Sequence, residues 1–181
     1  CHRDISFLLI YMVYILVEGG FIMELKTGYL YHIKDDFFDV VNDDSLMTNH
    51  ERGRKRPTYF TIKDKDILWF IPLSSKVDKY TKIINNKIKK YGTCDTIMIG
   101  EIMEKEHAIL LQNAFPTLEK YIDHVHTFNN VPVKVGDKLK DEIIVKFKSL
   151  IRMKERGINL FFTDIDKIKE IIMEEELEAV K

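Results

Sequence analysis

The run Ile71-Pro72-Leu73-Ser74-Ser75-Lys76 closes an apolar stretch with two hydroxyls and an ammonium. Pro72 has no N–H to give to a ladder, so a strand arriving there must end or become an edge. Ser74 or Ser75 then opens a helical pattern as its cap. Hydroxyls and cations at a strand end beside a helix start can hold a phosphate, because exposed backbone N–H groups point the same way. Ser75 and Lys76 occupy such a start, and Lys55-Arg56-Pro57-Thr58 sets two more cations ahead of the preceding strand. An ordinary cap is the plain alternative for either serine, and the two roles are compatible.

The charge around this segment narrows the ligand. The whole chain carries a formal net charge of −1. Residues 51–93, however, hold twelve Lys and Arg against four acids, a local net of +8. Residues 35–44 carry five Asp and no base, and residues 164–181 carry seven acids against three lysines. Clustered cations within one part of the chain are the footprint of a phosphate-binding face. Lys79, Lys82, Lys87, Lys89 and Lys90 also fit the solvated face of an amphipathic helix. Arg52 and Arg54, packed beside Lys55 and Arg56, repel one another and call for an anionic partner. Of the interleaved aromatics, Tyr59 and Tyr80 are the stacking candidates for single-stranded RNA. Trp69 and Phe70 lie in a stretch apolar on both faces and read as core.

Three further groups could do chemistry. Gln112-Asn113 offers paired donors and acceptors for a base edge or sugar, and turn-making by Asn before Phe-Pro is the alternative. His107 could shuttle a proton near neutral pH, as a secondary catalytic candidate, or serve structure alone. Asp123-His124-Val125-His126 alternates like a metal pair, but no cysteine or third ligand is close in sequence, so no metal and no cofactor is expected. Asp164 and Asp166 read as helix-start acids.

The elements that must position these residues follow from periodicity. Residues 28–33 read as a strand and 37–41 as a short helical run; 42–56 is polar without a period and reads as loop. Residues 58–63 and 67–73 flank a polar turn as a hairpin. A helix runs from the serines to about Lys90, with Tyr80, Ile83, Ile84 and Ile88 as its stripe and Gly92 as its stop. Residues 95–102 and 107–111 are two more strands, Phe115-Pro116 begins a helix or turn through Tyr121, and 131–135 is a short strand. Asp137 caps the longest helix, which Gly157 ends, and Asp164 caps the last. The pattern is that of a mixed α/β or α+β chain, with one domain over residues 23–181.

The apolar run Ile5–Val17 has 13 residues, short of the roughly 20 that span a bilayer. It resembles a weak signal peptide. Glu18-Gly19-Gly20 can also be encoded by a purine-rich ribosome-binding sequence ahead of Met23, so residues 1–22 are expected to be translated leader outside the fold. Two cysteines, Cys1 and Cys94, provide no disulfide framework, and a reduced cytoplasmic setting without a membrane is expected.

Taken in order, Lys55-Arg56-Pro57-Thr58-Tyr59-Phe60, the hairpin, Ile71–Lys76, Leu111-Gln112-Asn113-Ala114-Phe115-Pro116 and Lys120-Tyr121-Ile122 resemble the ToxN/AbiQ/CptN family, and its CptN branch most. These are endoribonuclease toxins of type III toxin–antitoxin systems, with an RNA as antitoxin. The resemblance implies a compact twisted antiparallel sheet with surrounding helices, related to the MazF/Kid toxins. It further implies metal-independent cleavage leaving a 2′,3′-cyclic phosphate, processing of the toxin's own repeat RNA, inhibition by the resulting pseudoknots, and an RNA-bridged oligomer active in phage defence. It makes Ser75, preceded by Ser74, catalytic, together with a cation that Lys55 or Arg56 matches; Lys76 is a further candidate. Thr58, which follows the proline, joins Tyr59 and the lysines of the helix as an RNA-binding candidate. Two other readings stay open, a MazF-type RNase neutralised by a protein and a non-catalytic RNA-binding protein.

Overall fold

Strand Ile67–Ser74 (β3) organises the molecule because its side chains are apolar on both faces. The computed structural model describes residues 16–17, 20–21, 25–46, 50–51, 54–55 and 57–179. Within it, Leu30–Ile33 (β1), Thr58–Asp64 (β2), β3, Met98–Ile102 (β4), Lys105–Ile109 (β5), Phe115–Thr117 (β6) and Ile122–Val125 (β7) form one seven-stranded sheet. The order is β7-β1-β2-β3-β5-β4, with β6 also on β3, and the pairings are antiparallel. The sheet curls into half a barrel with helices around it, the α+β architecture read from the sequence.

The helices cover the sheet according to the alternation of its side chains. Trp69, Ile71 and Leu73 share a core with Ile143, Phe147 and Leu150 of helix Asp137–Glu155 (α3), where the Trp69 and Phe147 rings lie 5.3 Å apart. Leu68 and Phe70 point the other way, onto Phe37 and Val41 of helix Asp35–Val41 (α1) and Ile168 and Ile172 of helix Ile165–Ala179 (α4). A smaller cluster seats helix Val77–Tyr91 (α2) through Tyr80, Ile83 and Ile84 on Ala108 and Leu110. Gly100 lets α3 come this close to the sheet, since a Cβ there would meet a Leu139 methyl at 2.6 Å.

Local readings fail where tertiary pairing outweighs propensity. Phe115-Pro116-Thr117 is a strand and not the helix or turn expected, because it pairs along Phe70, Trp69 and Leu68 of β3. Only Glu119–Tyr121 makes a helical turn, of 3-10 type. Inside the expected loop 42–56, His50–Glu51 and Arg54–Lys55 pair with each other. The strand expected at 131–135 is divided: Val131–Pro132 closes a hairpin with Thr127–Phe128, while Val133 and Val135 bond back to Leu30 and Gly28. Ile88 leaves the α2 stripe and is 46% exposed. Gly92, at φ +81°, ends α2 and gives its N–H to the Ile88 carbonyl. Gly136, not Asp137, holds the cap position of α3. Asp164 does accept the Lys167 N–H at the start of α4.

Of the segment 1–22, Leu16–Val17 and Gly20–Phe21 are described, and they pair with each other. Among the described residues no helix is long and apolar enough to cross a membrane.

Candidate nucleic-acid interface

The corner between β3 and α2 is built by its own hydrogen bonds. Ser74 is the last strand residue and is buried, and its Oγ accepts the Lys76 N–H at 3.2 Å. Helix α2 begins at Val77 with Lys76 in the cap position, and the Lys76 side chain makes no capping bond to the helix. The expected cap at Ser74 or Ser75 is therefore displaced, because Ser74 is committed to the ladder and turns the chain through a side-chain-to-backbone bond instead. Ser75 is left exposed at the corner.

Sheet register sets the neighbours of that corner. Leu73 and Ser74 pair with Ile109 and Ala108, so His107 and Ser75 each adjoin the last residue pair of this ladder. His107 is half-buried, and its Nδ1 lies 2.9 Å from the Lys105 carbonyl oxygen. That carbonyl can only accept, so Nδ1 carries the proton and Nε2 is the basic nitrogen.

On its other side β3 meets β2, where Thr58 pairs with both Pro72 and Tyr31. This brings the segment ending in Pro57 to the same rim of the sheet as Ser75. Thr58 itself is withdrawn from the candidate surface: it is 4% exposed and its hydroxyl donates to the Tyr31 carbonyl at 3.2 Å. Arg52 and Arg56 lie outside the described residues, as do the side chains of Arg54, Lys55 and Tyr59.

Helix α2 leads away from the corner as a basic rod, with five lysines and one aspartate in its 15 residues. Lys79, Lys82, Lys89 and Lys90 are exposed, and none makes a salt bridge among the described residues. Lys79 and Lys90 lie over the Tyr80 and Tyr91 rings at 5.4 and 4.8 Å. Hydrogen bonding and attraction from Tyr91 raise the Lys90 pKa above the ordinary lysine value. Tyr80 is half-buried under the helix, so packing takes part of the ring that stacking would use. Asn113 is half-buried in a short 3-10 turn.

Lys87 and Gln112 belong to a different network. The Lys87 ammonium donates to Thr96 Oγ1 at 2.6 Å and to Gln112 Oε1 at 2.9 Å. Gln112 is 4% exposed, and its backbone bonds Thr96 and Phe162. Its amide is an internal tie between α2 and the core, not a surface for a base edge. Lys120 is likewise engaged. Burial works against its charge, but Glu176 and Glu175, at 3.0 and 3.1 Å, outweigh that and raise its pKa.

One cluster escaped the sequence reading. His124 and Val125 pair with His32 and Tyr31 in the β7–β1 ladder, which sets His32 beside both histidines of the Asp123–His126 motif. His32 Nε2 and His126 Nδ1 are 3.0 Å apart, and the His32 and His124 rings stack at 4.5 Å and 19°. The third histidine expected to be missing nearby is supplied from about ninety residues away. Among the described residues no three His, Cys, Asp or Glu side chains are arranged to hold a metal ion. The alternating His124 and His126 were the available signal, and without the pairing they named no partner.

No protein-family profile matches the sequence, and no curated protein sequence does either. Similarity lies in the fold. A structure from a bacterial type III toxin–antitoxin system, whose toxin is selectively inhibited by a non-coding RNA pseudoknot, superposes with a TM-score of 0.60 at 14% identity, covering 83% of this chain and 99% of its own. AbiQ, a lactococcal anti-phage endoribonuclease of a type III toxin–antitoxin system, superposes with a TM-score of 0.58 at 12% identity, covering 86% of this chain and 100% of its own. The chain has the fold of these toxins over their full length.

Proposed function

We propose that this protein is an endoribonuclease toxin of a type III toxin–antitoxin system, a member of the ToxN/AbiQ/CptN family held in check by a repeat RNA that it processes itself. The observation that carries the reading is the strand-to-helix corner at Ser75, from which a helix of five lysines and one acid departs. A corner of this kind suits a polyanion threaded past a reactive centre. Full-length similarity to two toxins of such systems, one of them an endoribonuclease, supports the same reading.

The chemistry needs no cofactor. The RNA 2′-oxygen attacks the adjacent phosphorus, the bond to the 5′-oxygen breaks, and a 2′,3′-cyclic phosphate remains. The step requires an acceptor for the 2′-OH proton, charge stabilisation at the phosphorane and a donor for the leaving oxygen. His107 Nε2 is suited to accept the proton, given the Lys105 carbonyl at Nδ1 and its place next to the Ser74–Ala108 pair that ends at the corner. The Ser75 hydroxyl and the cations Lys76, Lys55 and Arg56 are suited to the phosphorane oxygens. Exposed Lys79, Lys82, Lys89 and Lys90 hold the flanking phosphates.

Incubation of the purified protein with single-stranded RNA in EDTA tests this directly. Cleavage with cyclic-phosphate ends is expected. Intact RNA despite tight binding would make the protein a non-catalytic binder and sink the proposal.

A further inference from the structure

We propose that the His32–His124–His126 cluster is a second RNA subsite, a stacking platform for one unpaired nucleobase beside the cleavage corner. The inference rests on the endoribonuclease reading above and adds a place where RNA is gripped away from the reacting phosphate.

Position comes first. Tyr31, Thr58 and Pro72 form one row across β1, β2 and β3. The adjoining row places His32 level with Pro57 and Leu73, and His124 is paired with His32 on the outer strand β7. Neighbouring strands lie about 4.8 Å apart, so His124 is roughly 14 Å from the Leu73 end of β3. Parity agrees as well. Leu30 and Leu73 share the core beneath α3, and His32, two residues from Leu30, points to that same side of the sheet. The cluster and the corner therefore border one rim, and an extended single strand crossing the sheet from Ser75 would pass over it.

The rings are held as a platform requires. His32 is buried, joined to the His126 ring at 3.0 Å, and covered by the His124 ring at 4.5 Å. The His124 side chain is 58% exposed and its Nδ1 lies 3.3 Å from Asp123 Oδ2, which fixes the ring's rotation. One face of His124 is thus backed by His32, leaving the other for a flat ligand. Nucleobases stack on aromatic side chains, His included, when RNA is single-stranded, and this contact is tolerant of sequence. The hairpin that follows carries exposed Phe128 and Asn129-Asn130, a second flat side chain and two amides within the same chain segment.

The test is binding of a short fluorescein-labelled 2′-O-methyl oligoadenosine, which lacks the attacking hydroxyl and is not cleaved. Stacking predicts that His124→Ala weakens binding by roughly ten-fold or more, while His124→Phe stays within a few-fold of the unaltered protein. Equal losses in both variants would replace stacking with a charge or hydrogen-bond role and overturn the platform. An unchanged His124→Ala protein would remove the subsite but leave the nuclease reading standing. Failure of the unaltered protein to bind would defeat both. Because His124 projects from an edge strand, both variants keep the core, which their circular dichroism and Tm will verify.

Discussion

The Lys87 ammonium sits 2.9 Å from Gln112 Oε1 and 2.6 Å from Thr96 Oγ1, joining the basic helix to the centre of the molecule. A lysine counted by sequence among RNA contacts is therefore a structural tie. Lys87→Met removes the donor while Gln112 and Thr96 stay buried, and an unmet buried polar group costs about 1–3 kcal/mol. Chemical denaturation should show a loss of that size, with RNA affinity at low denaturant nearly unchanged. Equal stability would mean that the two acceptors find other donors.

Ser75→Ala should abolish cleavage while leaving RNA affinity within a few-fold, since one neutral hydroxyl contributes about 1 kcal/mol or less to binding. His107→Ala should slow single-turnover cleavage by roughly 10²–10⁴ with the same affinity, the usual contribution of a positioned acid or base. A His107→Ala enzyme that cuts at the original rate would take proton transfer away from this residue.

The exposed lysines of α2 carry a salt signature. Replacing Lys79 and Lys82 together by Gln should weaken RNA binding and lower the slope of log K against log salt by about 1.4, or 0.7 for each lost single-strand phosphate contact. Titration across a salt series measures it. An unchanged slope would move the path of the RNA off this helix.

Burial, and then the nearby His124, lower the pKa of His126 below the ordinary histidine value. The unfolded chain then takes up a proton that the folded protein resists, so stability falls as pH drops below about 6.5. Unfolding free energies measured on either side of that value should show the decline, and His126→Gln should flatten it. A variant with the same pH slope would assign the decline to other groups.

Periodicity was sufficient for β3, its hairpin partner β2 and the three long helices, because alternation and 3.6-residue spacing are written in contiguous residues. The clustering of lysines after Ser75 was equally plain. Side-chain commitments were not, since burial and partnership depend on what distant segments bring. Thr58 and Gln112 look like surface polar groups until Tyr31 and Lys87 claim them. Phe115-Pro116-Thr117 looks helical until β3 offers it a ladder. His107 is a lone histidine until register brings its neighbour Ala108 against Ser74 at the corner.

By itself, then, the sequence determined the mixed helix-and-strand pattern, the basic stretch 51–93 and the hydroxyl-cation corner, all properties of local spacing and charge. The tertiary structure alone decided which polar groups are spent inside and which face outward. It also joined His32 to His124 and His126, because antiparallel pairing makes neighbours of residues that no short-range rule connects.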